Sequence, residues 1–75
     1  MARPPIDDVP LAAEPIRLGQ FLKLAGLAEH GAHARELVED GEVQVNGRLE
    51  TRRGAQLRAG DVVAVHGRRA RPVIR

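Results

Sequence analysis

Along the first half of this chain the apolar positions recur at helical spacing, and along the second half they alternate. In residues 16–26, IRLGQFLKLAG, the side chains of Leu18, Phe21, Leu22 and Ala25 fall at i, i+3, i+4 and i+7. That spacing predicts a short helix with one apolar face. Gln20 and Lys23 take another face, and Gly26 is its stop. Residues 31–40, GAHARELVED, predict a second helix with a buried stripe of Ala34, Leu37 and Val38 and a stop at Gly41. The period then changes to two. GEVQVNGRLETRRG, residues 41–54, is a strand running into Asn46-Gly47. That dipeptide between alternating apolar residues is the strongest short-range hairpin signal, because both turn positions need positive φ. Val43, Val45 and Leu49 are expected to point to the core, with Gln44, Arg48, Arg52 and Arg53 on or beside the wet side.

The rest of the pattern is weaker. Residues 54–61 read as a connection anchored by Leu57 and turning at Gly60-Asp61. Residues 62–66, VVAVH, are strand-like, and Gly67-Arg68 is a second turn. Residues 69–75 predict a last strand, which Pro72 confines to an edge. Residues 1–15 hold four of the five prolines with Asp7, Asp8 and Glu14, and no period runs through them. They are expected to be a flexible acidic tail, from which only Ile6, Val9 and Leu11 could pack on the domain. Residues 16–75 then form one domain. The predicted class is α+β, with two short helices on a small twisted, mostly antiparallel sheet of three to four strands.

Composition narrows this further. Of the 75 residues 43% are hydrophobic, but eleven are Ala, so the core rests on Leu, Val, Ile and Phe21. There is no Cys, which removes disulfides, thiolate metal sites and thiol chemistry. No apolar run approaches a membrane span, and the acids and prolines at the N-terminus do not suit a signal peptide. A cytoplasmic location is expected.

The formal net charge of +2 hides a split. Residues 1–47 carry four basic and eight acidic side chains, and residues 48–75 carry eight Arg against Glu50 and Asp61. Such asymmetry points to a polyanionic partner. The cations are almost all Arg, which suits bidentate phosphate contact and stacking. Arg48, Arg52 and Arg53 on the hairpin are phosphate candidates, and Lys23 and Arg35, on separate helices, can converge on the same patch. His33 is a further candidate contact. Asn46 is already explained by its turn. Arg68, Arg69, Arg71 and Arg75 either extend the basic surface or keep an edge strand soluble.

RLGQFLKLAGL, ARELVEDGEVQVNG and LRAGDVV, in that order and spacing, resemble the RNA-binding domain first seen in ribosomal small-subunit protein four (the S-four domain, or αL motif). The resemblance covers about residues 16–66 and is strongest to small stand-alone bacterial members. It implies a pair of helices on a small sheet and binding of structured RNA, ribosomal or transfer, against the helix pair and the hairpin edge. Carried over by position, it implies contacts from Arg17, Arg35, Gln44, Asn46 and Arg48. The stand-alone members add Gln20, Lys23 and the pair Arg52-Arg53. Many members open the second helix with Ser-Arg, and this chain departs from that pattern with His30-Gly31. Exposed N–H groups at Gly31 can themselves hold a phosphate.

Other classes fare worse. His30 and His33 lack a third partner for a metal. Thr51 is the only aliphatic hydroxyl, and nothing resembles a nucleophile with its base or a phosphate-cradling loop, so no catalysis, cofactor or small-molecule substrate is expected. With no Trp or Tyr and with Phe21 in the core, base stacking on exposed aromatics is excluded, so the RNA should be folded and read by shape, phosphate and 2′-hydroxyl. A monomer is expected. The acidic second helix and tail support an alternative, a protein–protein adaptor in a ribosome-associated or RNA-processing complex. Nonspecific DNA binding lacks an element for the major groove.

Overall fold

The computed structural model describes residues 5–74. The element order is β1 (Ile6–Leu11), β2 (Ile16–Arg17), α1 (Leu18–Leu24), α2 (Gly31–Glu39), β3 (Val43–Val45), β4 (Arg48–Leu49), β5 (Gln56–Leu57), β6 (Val63–Val65) and β7 (Arg68–Ile74). The α+β class stands. The sheet is larger than the expected three to four strands, with five in the order β1-β7-β6-β3-β4 and a separate two-stranded ladder of β2 and β5. All pairings are antiparallel except β1 with β7.

Both helices end as their glycines dictate. The N–H groups of Gly26 and Leu27 return to the carbonyls of Lys23 and Leu22, and those of Gly41 and Glu42 return to Val38 and Leu37. Each set is a Schellman motif, which satisfies carbonyls that a helix end leaves without partners. The first motif folds Leu27 and Ala28 beneath the helix pair, where both are buried. Two hairpins share one turn chemistry. Asn46-Gly47 has φ of 53° and 82°, and His66-Gly67 has 49° and 81°. These left-handed pairs match the strand twist. The second turn therefore begins at His66, one residue before the expected Gly67-Arg68, and the Glu42 carboxylate holds the His66 ring at 2.8 Å.

Phe21, Leu18, Leu22, Val38, Val43, Leu57 and Val63 are fully enclosed between the helices and one sheet face. Leu49 is not among them. It pairs with Gln44, and Gln44 pairs with Ala64, so all three lie on the other face and Leu49 is 59% exposed. The expectation that Leu49 joins the core fails because the two-residue turn sets Val45 opposite Arg48 and so puts Leu49 out of phase with Val43.

Two more expectations are corrected. Ile16 and Arg17 are not helical but pair with Leu57 and Gln56. Pro72 does not confine β7 to an edge, because β7 lies between β6 and β1. The β6 pairing ends at Ala70, so Pro72 meets no β6 residue whose ladder would need its N–H, and its carbonyl accepts from Gly60 N–H.

The segment expected to be a tail is the largest departure. Residues 6–11 form β1, parallel to β7, with Asp8 paired to Arg71 at 2.6 Å. Leu11 is buried, and Val9 and Ile16 pack on the core. Farther along, the Glu14 carboxylate accepts the Ala59 N–H at 2.7 Å. Asp8 and Glu14 fasten this segment to distant partners, which is why no local period reveals them. Residues 1–4 of the expected tail, and Arg75, lie outside the described residues. Leu11→Ala should therefore cost about 2–4 kcal/mol by urea unfolding, the usual loss at an enclosed leucine. An unstructured tail would give no measurable change.

Candidate nucleic-acid interface

The first turn of α1 has no side-chain cap. Its orphan N–H groups find main-chain acceptors instead, Leu18 N–H on the Ala55 carbonyl at 2.8 Å and Gly19 N–H on the Arg53 carbonyl at 3.0 Å. The 52–55 turn, closed by Ala55 N–H on the Arg52 carbonyl, is thus moored to the head of α1. Arg53 then crosses directly over Gly19. A Cβ on Gly19 would meet the Arg53 Cγ at 2.7 Å, closer than atoms approach without displacement.

This mooring builds a groove of about 420 Å³ lined by Arg17, Gly19, Gln20, Lys23, Gly31, Ala34, Arg53 and Gly54. Arg17 heads α1, and Gln20 and Lys23 follow at three-residue steps down one face. The opposite wall is the start of α2, where small residues let the walls approach. The groove holds three cations and no carboxylate. Among the described residues Arg17, Lys23 and Arg53 have no ion-pair partner. Each side chain is free to turn toward an anion.

The start of α2 is capped by imidazoles. His30 Nδ1 accepts the His33 N–H at 3.1 Å, and His33 Nδ1 accepts the Glu29 N–H at 3.0 Å. His30 thus does what a serine cap would do, and His33 has a local structural role. The N–H groups of Gly31 and Ala32 remain for solvent or a ligand.

The structure brings Arg17, Gln20, Lys23 and Arg53 of the expected site together. Arg35 stands one turn beyond Gly31 on exposed helix surface, outside the groove lining. Arg48, opposite Val45 at the sheet edge, also does not line it. Gln44 is on the other sheet face, in a hollow of about 250 Å³ shared with Glu42 and His66. Asn46 commits its exposed side chain to bonds within the chain. Its Oδ1 accepts Val62 N–H at 2.9 Å, and its Nδ2 donates to Asp61 at 3.1 Å.

Arg52 is held back from the groove. Glu50 Oε2 accepts both its N–H, at 3.1 Å, and its Nε, at 3.2 Å, and Oε1 lies 3.4 Å from Nη2. The side-chain hydrogen bond from Arg52, aided by its backbone N–H, holds the Glu50 carboxyl below its ordinary value of 4.5. Arg68, Arg69 and Arg71 are also engaged. Arg68 donates to the Gly26 carbonyl at 3.2 Å, Arg71 pairs with Asp8, and Arg69 makes contacts of its own. Sequence reasoning placed Gly19 and Gly54 nowhere in the site. Gly19 carries a signal only once Arg53 is known to lie over it.

Among the described residues no group of three His, Asp or Glu could hold a metal ion, and no helix is long and apolar enough to cross a membrane.

Comparison with known proteins agrees with this architecture. The model of the S4 domain family matches residues 9–71, and the chain belongs to that family. It is 42% identical over 59 residues to a protein of Bacillus subtilis named as a probable ribosome maturation protein, RlbA, covering 79% of this chain and 83% of that one. The solution structure of YbcJ from Escherichia coli, which has an αL motif involved in RNA binding, superposes with a TM-score of 0.70 at 31% identity, covering 97% of this chain and 94% of YbcJ. A tyrosine–tRNA ligase of Burkholderia lata is 36% identical over 66 residues, which are 84% of this chain but 16% of the ligase. The family and its αL motif are as the sequence resemblance implied.

Two outcomes test the geometry. A methyl group added at Gly31 would have nothing within 4 Å, so Gly31→Ala should gain up to about 1 kcal/mol in thermal unfolding, as an exposed helical glycine does. Gly19→Ala should gain nothing or lose stability, because Arg53 occupies its space. For Glu50 the depressed value fixes the sign. Its contribution is fully present above the ordinary value of 4.5 and is lost as the pH falls through the lower folded-state value. A carboxyl-carbon NMR titration of Glu50 should have a midpoint below 4.5 that rises toward it in Arg52→Ala.

Proposed function

We propose that this chain is a small RNA-binding protein that holds a structured RNA, ribosomal or transfer, in the groove between α1, the start of α2 and the 52–55 turn. The observation that carries this reading is the set of three unpaired cations, Arg17, Lys23 and Arg53, around one groove without a carboxylate. Guanidinium and ammonium groups at fixed positions neutralise phosphates and release counterions, which drives binding to any backbone. Gln20, among them, offers an amide that can pair with a 2′-hydroxyl or a base edge. Arg35 and Arg48, exposed and outside the groove lining, add to the positive charge of the surface.

The relatives support the reading. RlbA by its name concerns ribosome maturation, YbcJ has an RNA-binding motif, and the ligase by its name acts on a transfer RNA. Action on the ribosome or its assembly intermediates, as a monomer in the cytoplasm, follows as the simplest setting. The role proposed is binding rather than catalysis. The ligase resemblance is confined to a segment that is 16% of that enzyme.

The test is fluorescence anisotropy with a labelled RNA hairpin and a DNA duplex of the same sequence across a salt series. RNA should bind more tightly. Lys23→Ala with Arg53→Ala should weaken RNA binding and flatten the plot of log K against log salt by about 0.7–0.9 for each phosphate that is no longer neutralised. Arg71→Ala, which removes a cation committed to Asp8, should leave that slope unchanged. A groove variant with wild-type affinity and slope would remove the groove from the reading.

A further inference from the structure

The Arg52-Arg53 pair reads in sequence as two equivalent phosphate contacts, but the two residues are held in opposite ways. Arg53 projects into the groove without a partner. Arg52 is folded back on Glu50 by three hydrogen bonds, one from its backbone. The Glu50 side chain is 19% exposed while that of Arg52 is 78% exposed. Glu50 is itself anchored, since its N–H donates to the Val43 carbonyl at 3.0 Å just past the end of β4. A continuous series of bonds therefore runs from β3 through Glu50 to Arg52, through the 52–55 turn, and on to the first N–H groups of α1. Arg53 lies between the two moorings, and the close approach at Gly19 fixes where its side chain begins.

We infer that Glu50 and Arg52 are positioning residues that aim Arg53 into the groove, and that Arg53 alone of the pair contacts the bound phosphate. The inference rests on the groove being the RNA site. It has a consequence that charge alone does not give. Glu50 is the only carboxylate within the 48–58 segment. If the patch worked simply by net charge, deleting that carboxylate would strengthen binding to a polyanion. As a positioning residue, its deletion weakens binding, because a loosened 50–54 segment must be ordered again when RNA binds.

The experiment measures affinity for the same RNA hairpin by anisotropy for the wild type, Glu50→Ala, Arg53→Ala and the double variant, with Glu50→Gln as a fifth protein. Glu50→Ala should weaken binding about tenfold, the size of coupling found within one hydrogen-bonded network. In the Arg53→Ala background the same change should cost less than about twofold, since the residue being aimed is gone. Glu50→Gln, whose amide oxygen still accepts the Arg52 N–H, should retain more affinity than Glu50→Ala although both lose the charge. Binding by Glu50→Ala as tight as or tighter than wild type overturns the inference. An equal loss in both backgrounds, which a general loss of fold would produce, also overturns it. If Arg53→Ala binds like the wild type, the groove reading falls and takes the inference with it. If Arg53→Ala weakens binding and Glu50→Ala does not, the inference alone falls.

Discussion

The architecture of the site depends on one unmet requirement, the hydrogen bonds of the first turn of α1. A helix start needs acceptors for its leading N–H groups, and the residue at the cap position, Arg17, has none to give. The 52–55 turn supplies them from the Arg53 and Ala55 carbonyls. Because these acceptors belong to a loop far along the chain, satisfying α1 also fixes that loop against it. The groove is the space left between them. Gly19 is the steric counterpart of the same arrangement, since only hydrogen at that position leaves room for Arg53. A conventional Ser or Asp cap in place of Arg17 would meet part of the same requirement locally and remove part of the reason for the loop to dock.

Features that depend on neighbours in sequence were legible. The helical faces follow from spacing, and the Schellman ends follow from Gly26 and Gly41. The first hairpin follows from Asn46-Gly47, because that dipeptide determines its own backbone. Features set by distant partners were not legible. β1 pairs in parallel with a strand about 60 residues away, at a separation for which local patterns carry no information. Asp8 in it and Glu14 beyond it read as tail composition until Arg71 and Ala59 are seen to meet them. Pro72 looks like an edge signal because the sequence does not show where β6 stops. Leu49 differs from its expected place by a single residue of register.

The same division runs through the site. Gln20 and Lys23 could be grouped because one helix spaces them, the arginine cluster after the hairpin offered Arg53, and the family resemblance supplied Arg17. Asn46, Arg52 and His33 were also candidates, yet the Asp61 carboxylate, the Glu50 carboxylate and the Glu29 N–H engage them in turn. A polar residue in a basic stretch is a candidate contact only if the fold leaves it unspent, and that depends on partners which the sequence does not place beside it.

This changes what the charge asymmetry means. In sequence the surplus of Arg lies in residues 48–75, which suggests that the C-terminal part is the binding surface. In the fold much of that surplus is used internally. Arg52 is paired with Glu50, Arg71 with Asp8, and Arg68 holds the end of α1 through the Gly26 carbonyl. The uncompensated field instead gathers at Arg17, Lys23 and Arg53, two of which belong to the nominally acidic half. Since long-range charge is screened within about 8–10 Å at physiological salt, a ligand responds to this local set rather than to the net charge of a segment. Asp8 of β1 and Glu50 of the 48–52 segment are each matched by an arginine. By taking up Arg71 and Arg52, Asp8 and Glu50 hold the sheet and the loop together and leave Arg17, Lys23 and Arg53 as the unpaired cations around the groove.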